Sequence, residues 1–301
     1  MGKKMVSTNS EQFEKELSYG QVFKNLRISK GFTQLEASRN VIAPTHLSNF
    51  ENGKTMVSIN HFFDLLQNIN VNMFEFQNSL NQYLKNKDIL LFNTEMANAI
   101  VENNPTKLKK IVKELENQLN YQSNSDNIKL RLDYIRAKAV LSYIDKSYFI
   151  NKDEIIFLED YLFRLSEWGQ YDVALLGQCA NFFDLITLMQ LTKSMLSPFQ
   201  DNTNIPYIKQ AIIQTVLNII NIYEKNNAYN SAKKLIKYLE NSDIHDYYMF
   251  EKITLIYSKA KCEYHEGRKN AIEIMKKCQS IFEFCDCSQT ANWIDLEIKE
   301  L

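Results

Sequence analysis

The stretch Thr45-His46-Leu47-Ser48-Asn49-Phe50-Glu51-Asn52-Gly53 sets hydrogen-bonding side chains around the bulky apolar Leu47 and Phe50. On a helix, Leu47 and Phe50 lie three apart and share a face, which leaves Thr45, His46, Ser48 and Asn49 pointing the other way. Hydroxyls, an imidazole and an amide are the groups that pair with base edges or phosphates. A short polar face over an apolar anchor is also what a helix needs to enter a major groove. Arg27 and Lys30 precede this segment and Lys54 follows it, so cations suited to phosphate oxygens flank it. Thr33 and Gln34, opening a short helix between them, complete this candidate set.

Other chemistries find little support. His46, His61, His245 and His265 form no His-Glu-x-x-His pair, and there is no Gly-rich phosphate loop or Gly-x-Ser-x-Gly elbow. The reading is therefore of a protein that is not an enzyme and needs no cofactor. Cys262, His265, Cys278, Cys285 and Cys287 crowd the last part of the chain, but their spacings fit no usual zinc pattern, and such cysteines are more often small buried hydrophobes. No metal site is expected. Five cysteines, with no Cys-x-x-Cys pair, do not suggest a disulfide framework.

The elements that must carry the first motif are short. Residues 1–17 read as a flexible N-terminus. Val22, Phe23 and Leu26 form an apolar stripe that ends at Gly31, and Thr33 can cap a second helix running to about Asn40. Pro44 suits the first turn of a third helix, closed near Asn52-Gly53. Ser58 opens a fourth, with Phe62, Phe63, Leu65, Leu66 and Ile69 at inward spacings, and Asn72 a fifth, with Met73, Phe74 and Phe76. This gives a compact bundle over 18–80.

From Asn81 to Leu301 the pattern changes to helices of 14–20 residues parted by polar breaks near 103–105, 123–125, 151–152, 169, 198–206, 226–227, 241–242 and 267–268. Helix pairs on short turns predict a stacked helical-repeat array. Tyr223 to Ala232 and Tyr264 to Ala271 are weakly alike, and Ala232 and Ala271 lie 39 apart, near the period of helix-pair repeats. With only 7 Gly and 4 Pro in 301 residues, the fold class is all-α. Net charge is −1, with residues 1–70 at +2 and the remainder at −3, which permits contact with nucleic acid without demanding it. Polar residues follow Met1-Gly2-Lys3-Lys4-Met5, and no run of about 18 apolar residues occurs. The expected location is cytoplasmic, with no membrane partner.

The order Gly20, Leu26-Arg27, Thr33-Gln34, Ser48-x-x-Glu51-x-Gly53 resembles the Xre/Cro-type helix-turn-helix. The chain as a whole is similar to the Rgg/GadR/MutR regulators, within the peptide-pheromone receptors. Further residues carry this likeness: Asp160-Tyr161-Leu162-Phe163, Glu167-Trp168-Gly169-Gln170-Tyr171, Leu175-Leu176-Gly177 and Leu191-Thr192-Lys193-Ser194-Met195. The resemblance implies a TPR-like second domain, a homodimer, double-stranded operator DNA as partner, and a short imported peptide on the concave face of the repeats (quorum sensing). It also implies peptide contacts at Gln178, Asn181 and Asn218. Relatives carry an Asn and then an Arg, three residues apart, where this chain has Gln178 and Asn181, so a ligand carboxylate loses a guanidinium partner. Relatives often have Arg in place of Asn49 and Asn52. Ile59 stands where some have a Cys that joins subunits, so no such bond is expected. A metabolite, a partner protein, or no ligand at all would fit the same architecture.

Overall fold

The computed structural model describes residues 18–84, 96, 99, 104–120, 127–197 and 206–301. The flexible segment expected over 1–17, the break expected at 123–125 and, of the break expected at 198–206, residues 198–205 lie outside them; Pro206 already opens a helix. Every described element is a helix. The chain divides into two compact units, Met1–Glu102 and Asn103–Leu301; the sequence reading set the division at 80/81.

The first unit contains helices α1 (18–29), α2 (Gln34–Ser38), α3 (Pro44–Glu51), α4 (Ile59–Asn68) and α5 (Met73–Leu84). Local chemistry sets most of their ends. Thr33 and Glu36 close a capping box at the start of α2, and Pro44 occupies the first turn of α3. Gly31, Gly53 and Asn70 take positive φ just after α1, α3 and α4. In each case the next amide (Phe32, Lys54, Val71) donates back to a carbonyl of the last helical turn (Arg27, Asn49, Leu66). α2 stops at Ser38 rather than Asn40, because Asn40 itself is left-handed.

Alone, helices of five and eight residues would not persist. They are held by a core of Val22, Phe23, Ala37, Leu47, Phe50, Leu65, Leu66, Ile69, Val71, Phe76 and Leu80. Phe62 lies edge-on to Phe76 (centroids 4.8 Å apart) and to Phe50 (6.1 Å), which joins α3, α4 and α5. Burying one such side chain contributes about 1.5–3 kcal/mol. Phe63 corrects the expectation: it is exposed, because it falls off the stripe 62, 65, 66, 69 on α4. Met73 and Phe74 on α5 are exposed as well.

The second unit runs α6 (Pro105–Leu119), α7 (Ile128–Ile144), α8 (Lys152–Phe163), α9 (Gln170–Cys179), a single 3-10 turn (Ala180–Phe182), α10 (Leu185–Leu196), α11 (Pro206–Lys225), α12 (Tyr229–Glu240), α13 (Met249–His265), α14 (Ala271–Phe284) and α15 (Ser288–Glu300). α6 pairs with α7, and each helix from α11 to α15 with the next, while α7, α9, α11 and α13 pack side by side as a continuous row. Several helices are shorter than the expected 14–20 residues, α9 having 10 and α8, α10 and α12 having 12 each. The turns after α11, α13 and α14 repeat one design: Asn227, Gly267 and Asp286 take positive φ, and the following amide donates to Tyr223, Glu263 or Phe282. Ala232 and Ala271, the small residues of the expected repeat, are fully buried. Trp168 is buried at the start of α9, its indole N–H donating to Ser194 Oγ at 3.3 Å.

Two glycines mark where helices come too close for a side chain. A Cβ on Gly20 would lie 1.9 Å from the Phe50 carbonyl oxygen, and one on Gly177 would lie 2.6 Å from Thr215 Oγ1. The first clash is with backbone, which cannot rotate away. Gly20→Ala is therefore expected to cost about 1–3 kcal/mol by forcing α1 off α3. Urea unfolding reads this directly, and a wild-type midpoint would mean that the two helices are not so tightly apposed.

Candidate functional site

On α3, Leu47 and Phe50 are buried, whereas Thr45 and Asn49 are exposed and His46 and Ser48 half-buried. The four polar residues thus share the side turned from the core, as the spacing predicted. Asn52 caps the helix end, its amide donating to the Ser48 carbonyl at 2.8 Å while Lys24 reaches its oxygen. Lys54 and Lys30 are exposed, Lys30 lying 3.5 Å from Glu75.

Arg27 corrects the sequence reading. It does not face outward to meet phosphates but is buried against Glu51 at the end of α3. Its Nε donates to Glu51 Oε1 at 2.5 Å, Nη2 to Oε2 at 2.9 Å and Nη1 to the Phe32 carbonyl at 2.7 Å. Gln34 adds a third donor to Glu51, from Nε2 to Oε2 at 2.7 Å. The guanidinium matches a carboxylate so well in shape that the pair closes on itself. Thr33 is likewise engaged: its amide and hydroxyl both donate to Glu36 Oε2 at 2.7 Å, and these bonds hold the Glu36 carboxyl below the ordinary range. Thr33, Gln34 and Arg27 therefore build the support of α3, while Thr45, His46, Ser48, Asn49, Lys30 and Lys54 keep polar surface on offer.

In the second unit, the three residues expected to hold a ligand come together around the end of α9. Asn218 on α11 donates to the Gly177 carbonyl at 2.6 Å. The absence of a side chain at Gly177 lets α11 approach closely enough for this bond. Gln178 Oε1 accepts from Arg136 Nε on α7 at 2.5 Å, and the Tyr143 hydroxyl donates to the Gln178 carbonyl at 3.3 Å. Asn181 is exposed in the 3-10 turn, its side chain bonded to Tyr143. Arg136 was missed in the sequence, although a lone Arg in the midst of Ile135, Ala137, Ala139 and Val140 was the available signal. It brings to this place, from another helix, the cation that Asn181 does not supply. Two clefts of about 570 and 530 Å³ lie elsewhere, beside Leu239 and Leu255 and beside Met189 and Tyr223; neither is lined by Gln178, Asn181 or Asn218.

Further along the same row, Lys261 on α13 lies 2.5 Å from Glu297 on α15 and 3.5 Å from Glu224 on α11. The Tyr257 hydroxyl also donates to Glu297, at 2.7 Å. Cys262 and Cys278 are buried and Cys285 exposed. Among the described residues no group of three or more His, Cys, Asp or Glu is placed to hold a metal ion.

Residues 113–295 match the family described as the HTH-type transcriptional regulator Rgg, C-terminal domain. The chain belongs to the Rgg family. Residues 23–76 match the helix-turn-helix family as well. Two solved structures share the fold. The SHP pheromone receptor Rgg2 of Streptococcus dysgalactiae is 21% identical, with a TM-score of 0.75 over 94% of this chain and 99% of its own. PrgX in complex with cCF10 is 14% identical, with a TM-score of 0.71 over 94% and 99%. This Rgg-family chain is a helix-turn-helix transcription regulator, and the family is not one of enzymes. Among the described residues no helix is long and apolar enough to cross a membrane.

Breaking the Arg27–Glu51 pair leaves a buried charge without its partner. Arg27→Ala or Glu51→Ala is expected to cost about 3–5 kcal/mol. Arg27→Lys should rescue little, because an ammonium cannot make the paired bonds. Chemical denaturation checks both, and an Ala variant as stable as wild type would refute the role given to the pair. Burial, opposed by Lys261, holds the Glu224 carboxyl up at about 7 against an ordinary 4.5. The folded chain then keeps a proton that the unfolded chain releases, so stability should fall as pH rises between these two values. Glu224→Gln should flatten that slope, and urea midpoints at about pH 5 and about pH 8 measure it.

Proposed function

We propose that the chain is a homodimeric regulator that reads operator DNA through α3 and responds to a short peptide bound along the row α7–α9–α11–α13. Thr45, His46, Ser48 and Asn49 would meet base edges, and Lys30 and Lys54 phosphates. Gln34 and Thr33 would hold the entry to the groove, with Arg27 acting only through Glu51. The observation that carries the DNA half is the polar outer face of α3 on a buried anchor. One helix of eight residues spans few base pairs, so two copies on half-sites about 34 Å apart are needed for useful affinity and length of read-out.

The peptide half rests on Gln178, Asn181 and Asn218 gathering at one place, in a fold shared with an SHP pheromone receptor and with PrgX bound to cCF10. An amide such as that of Asn218 can donate and accept at once, which suits a peptide backbone of any sequence. In this reading residues 18–80 form the DNA-binding domain and residues 81–301 the sensing and dimerising one. A peptide shifts the pair of DNA-binding domains only if it prefers one state, and a coupling of about 1–3 kcal/mol is enough.

Gel shift on the promoter beside the gene is expected to give a sequence-preferring band at low salt. Asn49→Ala should weaken that band about tenfold, and Lys54→Ala should weaken all sequences alike and lower the salt slope by about 1. Titration calorimetry with short peptides encoded nearby should show binding that Asn218→Ala weakens. The absence of any sequence-preferring band sinks the DNA half, and peptide binding indifferent to Asn218→Ala sinks the site.

A further inference from the structure

The face of α11 that carries Asn218 is richer in acceptors and negative charge than in cations. Gln210, Gln214 and Asn218 are spaced by four and Asn221 follows by three, so all four share that face. Gln214 is exposed and Gln210 and Asn218 half-buried, so solvent reaches the row. Beneath it lies Glu251, in the first turn of α13 and only 3% exposed. Its Oε1 accepts from Gln210 Nε2 at 3.0 Å and from Gln214 Nε2 at 2.8 Å.

Among the described residues Glu251 makes no ion pair, so only two neutral amides and the positive end of the α13 dipole answer a buried carboxylate. Amide dipoles orient such a group but do not neutralise it, and a charge so placed is costly without a counter-charge. An independent sign points the same way. Asn221 Oδ1 is buried and receives no hydrogen bond, so this face also lacks a donor. One helical turn on, Glu224 and Glu297 share the single ammonium of Lys261.

We propose that the ligand of this face is cationic: an ammonium or guanidinium group that seats on Glu251 between Gln210 and Gln214. This rests on the reading of the row as a ligand-binding face and adds to it the charge of what is bound. A ligand cation supplies both what Glu251 lacks and N–H donors of the kind Asn221 lacks. The preference over an anionic ligand has two sources, the charge-assisted bond gained with Glu251 and the repulsion avoided.

The test uses the full chain and three N-acetylated, C-amidated octapeptides of Val, Ile and Gly that differ at one central position: Lys, Gly or Glu. Fluorescence polarisation is expected to rank Lys ahead of Glu by at least about tenfold. Glu251→Gln keeps the shape of the side chain and should erase that ranking. Gln214→Lys, at an exposed position, places a cation of the protein's own beside Glu251 and should erase it too. Glu266→Gln, whose carboxylate pairs with Lys233 on the surface, should leave it intact. Equal binding of all three peptides, or a ranking that survives Glu251→Gln, overturns the proposal while leaving a peptide receptor. If none of the peptides binds, arginine amide decides: a rise in melting temperature that depends on Glu251 supports a cationic ligand and removes the peptide reading, and no rise removes both.

Discussion

The first unit depends on a charge taken out of water. Arg27 and Glu51 are 24 positions apart, and their pairing fastens the end of α1 to the end of α3. Desolvating two ions is expensive, so the pair is tolerable only because three donors reach Glu51 and Arg27 also donates to the Phe32 carbonyl, all with good geometry. In return α3 has a defined angle, which an eight-residue helix anchored by Leu47 and Phe50 alone would lack. The close approach of Gly20 to the Phe50 carbonyl and the aromatic group of Phe23, Phe50, Phe62 and Phe76 complete that fastening. What remains on α3 is a polar face presented by a rigid base.

The second unit solves a different problem. Its core is continuous and apolar, from Leu132 through Leu176 and Ile219 to Leu255, and small residues or glycine let neighbouring helices approach. Along the row α7–α9–α11–α13, however, polar side chains form bridges from helix to helix: Arg136 to Gln178, Asn218 to the Gly177 carbonyl, Gln214 to Glu251. Such bridges orient the helices, but they contribute less to stability than apolar packing of the same volume. A polar row beside an apolar core is the division expected of a surface kept for recognition. The buried acids Glu224 and Glu251 extend that row with further acceptors.

Much of this was written locally. Caps and stops are short-range chemistry, so Thr33, Pro44, Gly31 and Gly53 announced their helix ends from the sequence. Helical spacing placed Leu47 and Phe50 inward and Thr45 and Asn49 outward, and the likeness carried by Trp168-Gly169-Gln170-Tyr171 led to the right family.

The partners of the charged side chains were not legible in the same way. Arg27 beside an apolar stripe looks like a phosphate ligand until Glu51 is brought to it, and Arg136 meets Gln178 across 42 residues. Glu251 and Gln214 are 37 apart, and Glu297 finds Lys261 across 36. Periodicity reports which face of a helix is buried, but not which polar group on another helix that face will meet. Phe63 was misjudged for a related reason, since an apolar residue beside a stripe is counted with it until packing sets the width of the buried face. Element ends and the inner faces of helices were therefore properties of the sequence alone. The pairing of charges, and with it the shape of the polar faces of α3 and α11, was decided by the tertiary fold, because it requires desolvation and contact between residues that nothing local relates.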